Sequence, residues 1–381
     1  MAGLGLALYS RLSGYYFYYY GILGLLLPYF TLWMADRGLS PAQMGLVLAA
    51  HGVSRILLPP LWGALADVSG QRLRIIQVAS LLSAIGIALL PLAHSFATVL
   101  GAMLLFSLFW NATMPQFEAY TLGTLAERGG DYSRVRLWGS VGFVLAVVGG
   151  GAGFERVGID WLPATIVVAL LAMTAAAFAL PGARTRLPPS AQDESLWGVL
   201  RRPVVIALLV ACMLHQLSFA PYYGFFSLYL EQTGWGKTAI GLLWAFGVIC
   251  EIVVFVWTGR IIQRFGLRAV FLAAMLSTVV RWVGLEFVID WLPGLLLLQA
   301  LHLSSFGLYH ACAVQFIQRE FRGRLQGRGQ ALHVSLSFGV GGSVGAALSG
   351  AMWEVWGPEP AYRMAALAAF AATLISWRWL R

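Results

Sequence analysis

Twelve long apolar segments, separated by short charged or Pro/Gly-rich breaks, constrain the fold of this chain more than any other feature. A helix needs about 20 apolar residues to cross a membrane. Only 11% of the residues are charged, against about 25% in an average soluble domain. We therefore predict an all-α membrane protein with twelve transmembrane helices. The segments lie at approximately 12–34, 42–66, 75–94, 97–122, 137–155, 160–180, 204–230, 238–259, 268–289, 293–318, 331–353 and 361–380.

The basic residues indicate how such a chain is oriented. If both termini are cytoplasmic, 19 of the 25 arginines and lysines lie in cytoplasmic segments, four lie in outer loops and two lie within helices. Cytoplasmic loops of membrane proteins are enriched in these residues. The sequence thus predicts a multi-pass protein of the inner (cytoplasmic) membrane with both termini in the cytoplasm. The lipid bilayer then accounts for the net charge of +9, since basic residues face an anionic leaflet, and no nucleic-acid partner is expected.

The chain contains two related halves. A shift of 196 residues aligns "FTLWMADRGLSPAQMGL" at 30 with "FSLYLEQTGWGKTAIGL" at 226 without a gap. The Pro-rich, charged segment 181–203 lies between the halves and has the composition of a linker. We predict an N-terminal six-helix bundle at 1–180, a cytoplasmic linker at 181–203 and a C-terminal six-helix bundle at 204–381. Parallel halves of this kind are typical of rocking transporters.

The stretch "GALADVSGQRLR" at 63 resembles the loop 2–3 signature of the major facilitator superfamily. The resemblance implies the major facilitator fold, with twelve helices in two pseudo-symmetric six-helix bundles, and transport by alternating access. It also implies that the matching residues gate the conformational change rather than contact the solute. These residues are Gly63, Asp67, Gly70, Arg72 and Arg74.

Two finer resemblances cover most of the chain. The stretches "VVRWVGL" and "LQALHLSSFGLYHACAVQFI" resemble the second half of the 3-phenylpropionate transporter family, a proton-symporter branch of the superfamily. Separately, "EAYTLGTLAERGGDYSRVRLWGSVGF" resembles the helix 4–5 region of the lactose permease family. The second resemblance implies substrate-binding roles for Glu118, Arg136 and Phe143.

Glu118 and Arg136 also fit together without any resemblance. Glu118 lies near the end of the fourth span and Arg136 opens the fifth, so a short cytoplasmic loop can bring the two side chains face to face. An arginine fork suits a carboxylate or hydroxyl substrate. The alternative is a structural ion pair that fastens the loop.

Four charged or titratable residues cluster near mid-membrane on spans eight, nine and ten. At about 1.5 Å of rise per residue, His302 falls near the depth of Arg281, and His310 near the depth of Glu251. Charges at this depth normally face a polar interior and mark an ion or proton path. We predict that Glu251 pairs with Arg281 when ionised and that a histidine relays the proton. The lactose permease family carries a glutamate one turn after the histidine, but that position is Ser305 here, so the proton carrier is left open.

Weaker candidates lie on spans one and two. His51 and Arg55 are four residues apart on one face of a helix, where they either line a substrate cavity or only contact water. Tyr19 in "GYYFYYY" could stack on an aromatic solute, although an aromatic stripe more often serves packing. Further polar residues that either line a cavity or only bond neighbouring helices are Asn111, His215, Gln216 and Gln315.

The leading hypothesis is a proton-coupled importer of a small aromatic carboxylate similar to phenylpropionate, with H⁺ as the coupling ion, no cofactor and a monomeric state. The alternatives within the same class are a sugar or nucleoside symporter, or an exporter of drugs or metabolites. A membrane-embedded enzyme is the rival from a different class. The sequence disfavours it, because it contains no metal-ligand cluster, His-Glu-x-x-His pattern or phosphate-binding glycine loop.

Overall fold

The chain folds almost entirely into helices. A computed structural model describes residues 5–182, 195–323 and 325–380, and these ranges contain no strand. Of the predicted linker 181–203, residues 183–194 lie outside the described part of the chain. The α-helices are α1 (Leu6–Asp36), α2 (Pro41–Ser69), α3 (Arg72–Ala88), α4 (Phe96–Arg128), α5 (Tyr132–Val157), α6 (Leu162–Phe178), α7 (Leu196–Leu200), α8 (Pro203–Ser218), α9 (Ala220–Gln232), α10 (Lys237–Phe265), α11 (Leu267–Val288), α12 (Leu292–Ala300), α13 (Tyr309–Glu320), α14 (Leu325–Val334), α15 (Gly342–Trp356) and α16 (Pro358–Trp379).

Eleven helical segments in the described ranges are long and apolar enough to cross a membrane. The seventh joins α8 to α9 at Phe219, the tenth joins α12 to α13, and the eleventh joins α14 to α15. The twelfth predicted span corresponds to α16, a helix of 22 residues that is not among the eleven. Alanine is only weakly hydrophobic, and α16 combines many alanines with Arg363 and Arg378. The all-α membrane fold is confirmed.

Local chemistry explains where the long segments are interrupted. Pro221 lies at the start of α9, and proline has no amide hydrogen to continue the preceding helix. The tenth and eleventh segments contain π-helices at Leu303–Leu308 and Ser335–Gly341. His302 directly precedes the first π-helix, and His333 lies two residues before the second. Short π-helical insertions are frequent at functional sites, so both histidines lie at positions typical of functional residues.

Close contacts divide the chain into two compact units. Helices α2 and α10 each contribute to both, because the start of α2 belongs to the second unit and the start of α10 to the first. The first unit comprises Met1–Leu39, Ser54–Pro188 and Gly236–Leu242, and the second comprises Ser40–Val53, Pro189–Trp235 and Leu243–Arg381.

Two glutamates cap the starts of these shared helices. In the second unit, Glu354 Oε2 accepts a hydrogen bond from the Ala42 amide at 2.9 Å and from the Ser40 hydroxyl at 2.6 Å. In the first unit, Glu155 Oε2 accepts one from the Thr238 amide at 3.1 Å. The first amides of a helix lack partners within the helix, and the helix dipole favours a negative charge there. Each carboxylate therefore fixes a helix start within its unit.

In the first unit, α1 and α5 pack with their backbones in near contact. A Cβ atom added at Gly142 would lie 2.1 Å from the carbonyl oxygen of Phe17, and one added at Gly24 would lie 2.7 Å from that of Phe143. Small residues permit such close approach between membrane helices. The Tyr29 hydroxyl strengthens the same contact by donating to the Val147 carbonyl at 2.6 Å.

The loop signature at the end of α2 forms a compact ion-paired turn. Arg72 donates to Asp67 Oδ1 at 2.8 Å, and Arg74 donates to Gln71 Oε1 at 2.9 Å. Gly70 has a φ of 64°, which lies in the left-handed region that favours glycine. This geometry links the end of α2 to the start of α3, while the gating role of the motif, including Gly63, stays a prediction.

Candidate functional site

Arg281 lies on α11 in the second unit, and only 1% of its surface is exposed. Its guanidinium donates to Gln299 Oε1 at 2.6 Å and to Ser305 Oγ at 3.3 Å, and it contacts His302 Nδ1 at 2.9 Å. The guanidinium carbon also lies 4.3 Å from the ring centre of Tyr222. A buried charge is tolerated when it is hydrogen-bonded or paired. The three neutral acceptors and the aromatic face meet this requirement.

Glu251, on α10, reaches this arginine through a histidine. Glu251 Oε2 lies 3.3 Å from His302 Nε2, while the opposite nitrogen of the same ring contacts Arg281 at 2.9 Å. The predicted direct pair between Glu251 and Arg281 is therefore wrong for this structure. The imidazole lies between the two side chains and contacts both of them.

Bonding rules assign the ring proton of His302. A guanidinium carries only N–H donors and keeps its charge in proteins, so His302 Nδ1 must be the acceptor. The ring proton then sits on Nε2, which lies 3.3 Å from the Glu251 carboxylate. The three side chains therefore form a line of positive arginine, neutral histidine and negative glutamate, which we call the charge-relay trio.

Two neighbouring residues hold the trio in place. A Cβ atom at Gly307 would lie 3.2 Å from Glu251 Cγ, so the glycine lets α10 approach the π-helix closely. The Gln299 side-chain amide donates to the Tyr222 hydroxyl at 3.2 Å and to the Leu243 carbonyl at 3.0 Å. These bonds turn the Gln299 oxygen towards the arginine. Sequence reasoning missed Gln299 and Tyr222, although Gln299 precedes His302 by three residues and so shares its helix face.

His310 joins the same cluster along an aromatic column. The ring of His302 is parallel to that of Phe306 at 5.3 Å between centroids, and the Phe306 ring is parallel to that of His310 at 5.8 Å. An electrostatic interaction also links His310 to Glu251. The structure therefore brings together all four residues predicted for proton coupling, and their role stays a prediction.

In the first unit, Glu118 and Arg136 contact tyrosines rather than each other. The Tyr132 hydroxyl donates to Glu118 Oε1 at 2.8 Å. The guanidinium carbon of Arg136 lies 3.8 Å from the ring centre of Tyr20 and 5.6 Å from that of Tyr16. The structural ion pair considered as the alternative is thus absent from the described residues. Tyr132 was not anticipated from the sequence.

The remaining predicted substrate residues have varied surroundings. Tyr19 stacks on Trp110, with ring centroids 4.2 Å apart and planes 3° apart, and it interacts electrostatically with Arg55. Phe143 is buried, and its carbonyl oxygen faces Gly24 in the packing of α1 on α5. His51 belongs to the part of α2 assigned to the second unit, whereas Arg55 belongs to the first.

Two other features bear on the chemistry. Among the described residues, no group of three or more His, Cys, Asp or Glu side chains is placed to hold a metal ion. His215 is fully buried. Its Nε2 lies 3.2 Å from the Thr278 hydroxyl, and its ring stacks on Tyr309 at 3.5 Å. His215 is therefore part of the packing between helices of the second unit.

Comparison with known sequences identifies relatives over nearly the whole chain. A profile of the MFS_1 like family matches residues 9–364. The probable 3-phenylpropionic acid transporter of Escherichia coli (strain K12) is 29% identical over 362 residues, which cover 93% of each chain. The maltose permease of Geobacillus stearothermophilus is 27% identical over 346 residues, covering 90% of this chain and 87% of the permease.

Solved structures share the fold at much lower sequence identity. A mutant of the nucleoside transporter NupG superimposes with a TM-score of 0.87 at 14% identity, covering 98% of this chain and all of NupG. A bacterial homologue of the human lysosomal transporter Spinster gives a TM-score of 0.71 at 13% identity, covering 97% of this chain and 94% of the homologue.

Proposed function

Because this chain belongs to the MFS_1 like family, and is thus a secondary transporter of the major facilitator superfamily, we propose that it imports a small aromatic carboxylate together with a proton. In this proposal the protein lies in the inner membrane with both termini in the cytoplasm, and it works as a monomer by alternating access. It requires no cofactor other than the coupling ion.

The observation that carries the proposal is the bond between Arg281 and His302 Nδ1 at 2.9 Å. The guanidinium N–H uses the one lone pair that an incoming proton would need, because Nε2 already carries the ring proton. Protonated His302 would direct an N–H group at the guanidinium, so the histidine cannot be protonated while this bond is kept. Arg281 and the transported proton therefore compete for the same atom.

This competition provides a coupling mechanism. Substrate binding and the accompanying conformational change draw Arg281 away from His302, which exposes Nδ1. The proton then binds to the pair formed by His302 and Glu251, whose separation is 3.3 Å. Release of substrate lets Arg281 return, and the proton is expelled.

The charges support a monocarboxylate as the co-transported species. In the trio, the charge of Arg281 balances that of Glu251 while His302 is neutral. A substrate carboxylate adds one negative charge and the proton adds one positive charge, so binding both leaves the net charge unchanged. Burying uncompensated charge is costly. We therefore expect one proton to move with each carboxylate.

The first unit supports an aromatic substrate. Arg136 lies on the face of Tyr20, and a guanidinium held in this way still presents its N–H edge to a carboxylate. Tyr19 and Trp110 supply a parallel pair of rings, and an aromatic solute can pack against such rings. The similarity to a probable 3-phenylpropionic acid transporter agrees with this substrate class.

A sugar or nucleoside is the second candidate. The observation that favours it is Glu118, which accepts a hydrogen bond from the Tyr132 hydroxyl at 2.8 Å and could equally accept one from a substrate hydroxyl. The similarity to a maltose permease and the shared fold with a nucleoside transporter point the same way. Export of drugs or metabolites is the alternative direction of transport.

Uptake into proteoliposomes separates these possibilities. The assay uses labelled 3-phenylpropionate, a galactoside and a nucleoside, each with and without an inward proton gradient. We expect the gradient to drive accumulation of 3-phenylpropionate alone. Accumulation of only the sugar or nucleoside would refute the carboxylate assignment. Binding without gradient-driven accumulation of any compound would refute the symporter.

A further inference from the structure

Two histidines of the second unit have no task in the coupling mechanism described above. His310 lies beyond the trio on α13, and His333 lies on α14 with only 1% of its surface exposed. The Nδ1 atom of His310 and the Nε2 atom of His333 are both buried and have no hydrogen-bond partner among the described residues. Buried polar atoms are rarely left without a partner, so this pair of open nitrogens requires an explanation.

We propose that His310 and His333 form the path by which the coupled proton passes between the charge-relay trio and the end of the second unit where α13 meets α14. This proposal rests on the proton coupling proposed above and adds its route. An imidazole can receive a proton on one nitrogen and release it from the other, which suits it to such a relay.

The positions of the histidines along their helices form a descending series. His302 lies 18 residues before the end of α13 at Glu320, and His310 lies 10 residues before it. His333 lies eight residues after the start of α14 at Leu325. At about 1.5 Å per residue, the depths below these helix ends are roughly 27, 15 and 12 Å. The series runs from mid-membrane towards the end of α13 and the start of α14.

Ring contacts and electrostatic interactions link the successive members. The parallel rings of His302, Phe306 and His310 form one column, with centroid separations of 5.3 and 5.8 Å. Electrostatic interactions join Glu251 to His310 and His310 to His333. Ser337 Oγ lies 3.2 Å from His333 Nδ1 and can exchange a hydrogen bond when the ring changes its protonation. A water molecule between the open nitrogens of His310 and His333 would complete the transfer.

The surrounding charges define the route. The titratable groups that interact with His310 are Glu251 and His333, and those that interact with His333 are His310 and His215. His215 is bonded to Thr278 and stacked on Tyr309, so it lies beside the route within the helix packing. The carboxylate of Glu251 attracts a proton at one end of the series. Repulsion between His310 and His333 means that only one of them carries the proton at a time.

The test measures substrate-driven proton entry with a pH-sensitive dye trapped in proteoliposomes, alongside exchange of labelled 3-phenylpropionate at equal concentrations on both sides. The variants are His310→Gln and His333→Gln, and the exposed His94→Gln is the matched control. We expect both path variants to keep exchange. Their substrate-driven proton entry should fall by at least about tenfold, a modest share of what a positioned proton-transfer group supplies. His94→Gln should match the wild type in both measurements.

A second variant distinguishes a proton carrier from a structural residue. In His333→Ala, imidazole trapped inside the vesicles should restore proton entry, because the small base can replace the missing ring.

Each further outcome has a distinct meaning. Normal proton entry in both Gln variants would overturn the path while leaving the coupling intact. Equal loss of exchange and proton entry, without rescue by imidazole, would assign these histidines to packing and overturn the path. If the wild-type protein itself exchanged substrate without any substrate-driven proton entry, the proposed symport would be overturned.

Discussion

At the scale of single residues, the position of His302 between Glu251 and Arg281 determines which substitutions are informative. The histidine bonds a carboxylate on one side and a guanidinium on the other. Replacing the histidine alters both bonds at once, so its variants would be hard to interpret. Changes to Glu251 leave the Arg281 bond in place and test the carboxylate alone.

We predict that Glu251→Gln separates exchange from accumulation. Glutamine mimics the protonated carboxyl group in shape and cannot release a proton. The variant should therefore bind substrate and exchange it across the membrane, but it should fail to concentrate it against a gradient. Counterflow and gradient-driven uptake measure the two activities, with the exposed Glu127→Gln as control. Normal accumulation by Glu251→Gln would eliminate this carboxylate as the proton carrier and leave the histidines.

We predict that Arg136→Lys weakens substrate binding while the protein still folds. Lysine keeps the charge but loses the planar fork and its contact with the Tyr20 ring at 3.8 Å. We expect affinity for 3-phenylpropionate to fall by about tenfold, which corresponds to about 1.4 kcal/mol. Arg134→Lys is the matched control, since Arg134 is exposed and lies 3.6 Å from Asp131. Unchanged affinity in purified Arg136→Lys would exclude direct recognition by this residue.

Residue-level prediction from the sequence identified a cluster that the structure contains but assigned the wrong partners within it. Counting residues along each span predicted that Arg281, Glu251 and the two histidines lie close together, and their side chains do so. It could not place the His302 ring between the other two side chains. A π-helix begins directly after His302, and its wider turns change the angular positions that regular α-helical counting assumes. Tyr132 was missed because its contact with Glu118 depends on how the loop before α5 folds.

At the scale of helices, close packing of α1 on α5 depends on glycine. A Cβ atom at Gly142 would lie 2.1 Å from a backbone oxygen of α1, whereas one at Gly149 of the same helix would have nothing within 4 Å. We predict that Gly142→Ala forces the helices apart and lowers stability by about 1–3 kcal/mol, as overpacking generally does. Gly149→Ala should have little effect.

Thermal unfolding in detergent, followed by circular dichroism or a thiol-reactive dye, compares the two glycine variants directly. Equal melting temperatures for Gly142→Ala and Gly149→Ala would show that α1 and α5 can separate without cost. The interface described here would then not limit stability.

The sequence predicted where the spans lie but not where they break. Hydrophobic length alone identified the regions of α1 to α6 and α8 to α16, because membrane thickness fixes how many apolar residues are needed. The interruption at Phe219 follows from Pro221 at the start of α9, which hydropathy alone does not detect because proline acts through its missing amide hydrogen. The two π-helices likewise leave no mark on hydropathy.

At the scale of the whole molecule, the internal repeat predicts two halves that follow each other along the chain. The contacts instead group residues from both halves into each compact unit. The aligned stretches at 30 and 226 indicate two related halves. The compact units nevertheless exchange the beginnings of α2 and α10, and Glu354 and Glu155 cap these beginnings. Such long-range contacts form only when distant segments meet, so a repeat in the sequence cannot specify them.

We predict that the loops follow the distribution of positive charge. Glu127→Cys should react with a membrane-impermeant thiol reagent only after the cells are permeabilised, and Asp290→Cys should react in intact cells. The native Cys212 and Cys312 are buried and Cys250 is partly buried, so a Cys250→Ser background should label weakly. The opposite labelling pattern would place both termini outside the cytoplasm.

The bond between Arg281 and His302 also has a consequence for the proton gradient across the cell membrane. A carrier that could bind a proton and return it without cargo would act as a leak, dissipating the gradient that respiration maintains. While Arg281 fills the lone pair on Nδ1, His302 has no basic nitrogen to offer to a proton. On the proposed mechanism, the guanidinium that couples the proton to the substrate also prevents proton leakage when no substrate is transported. The cell can then hold many copies of the transporter without dissipating its proton gradient.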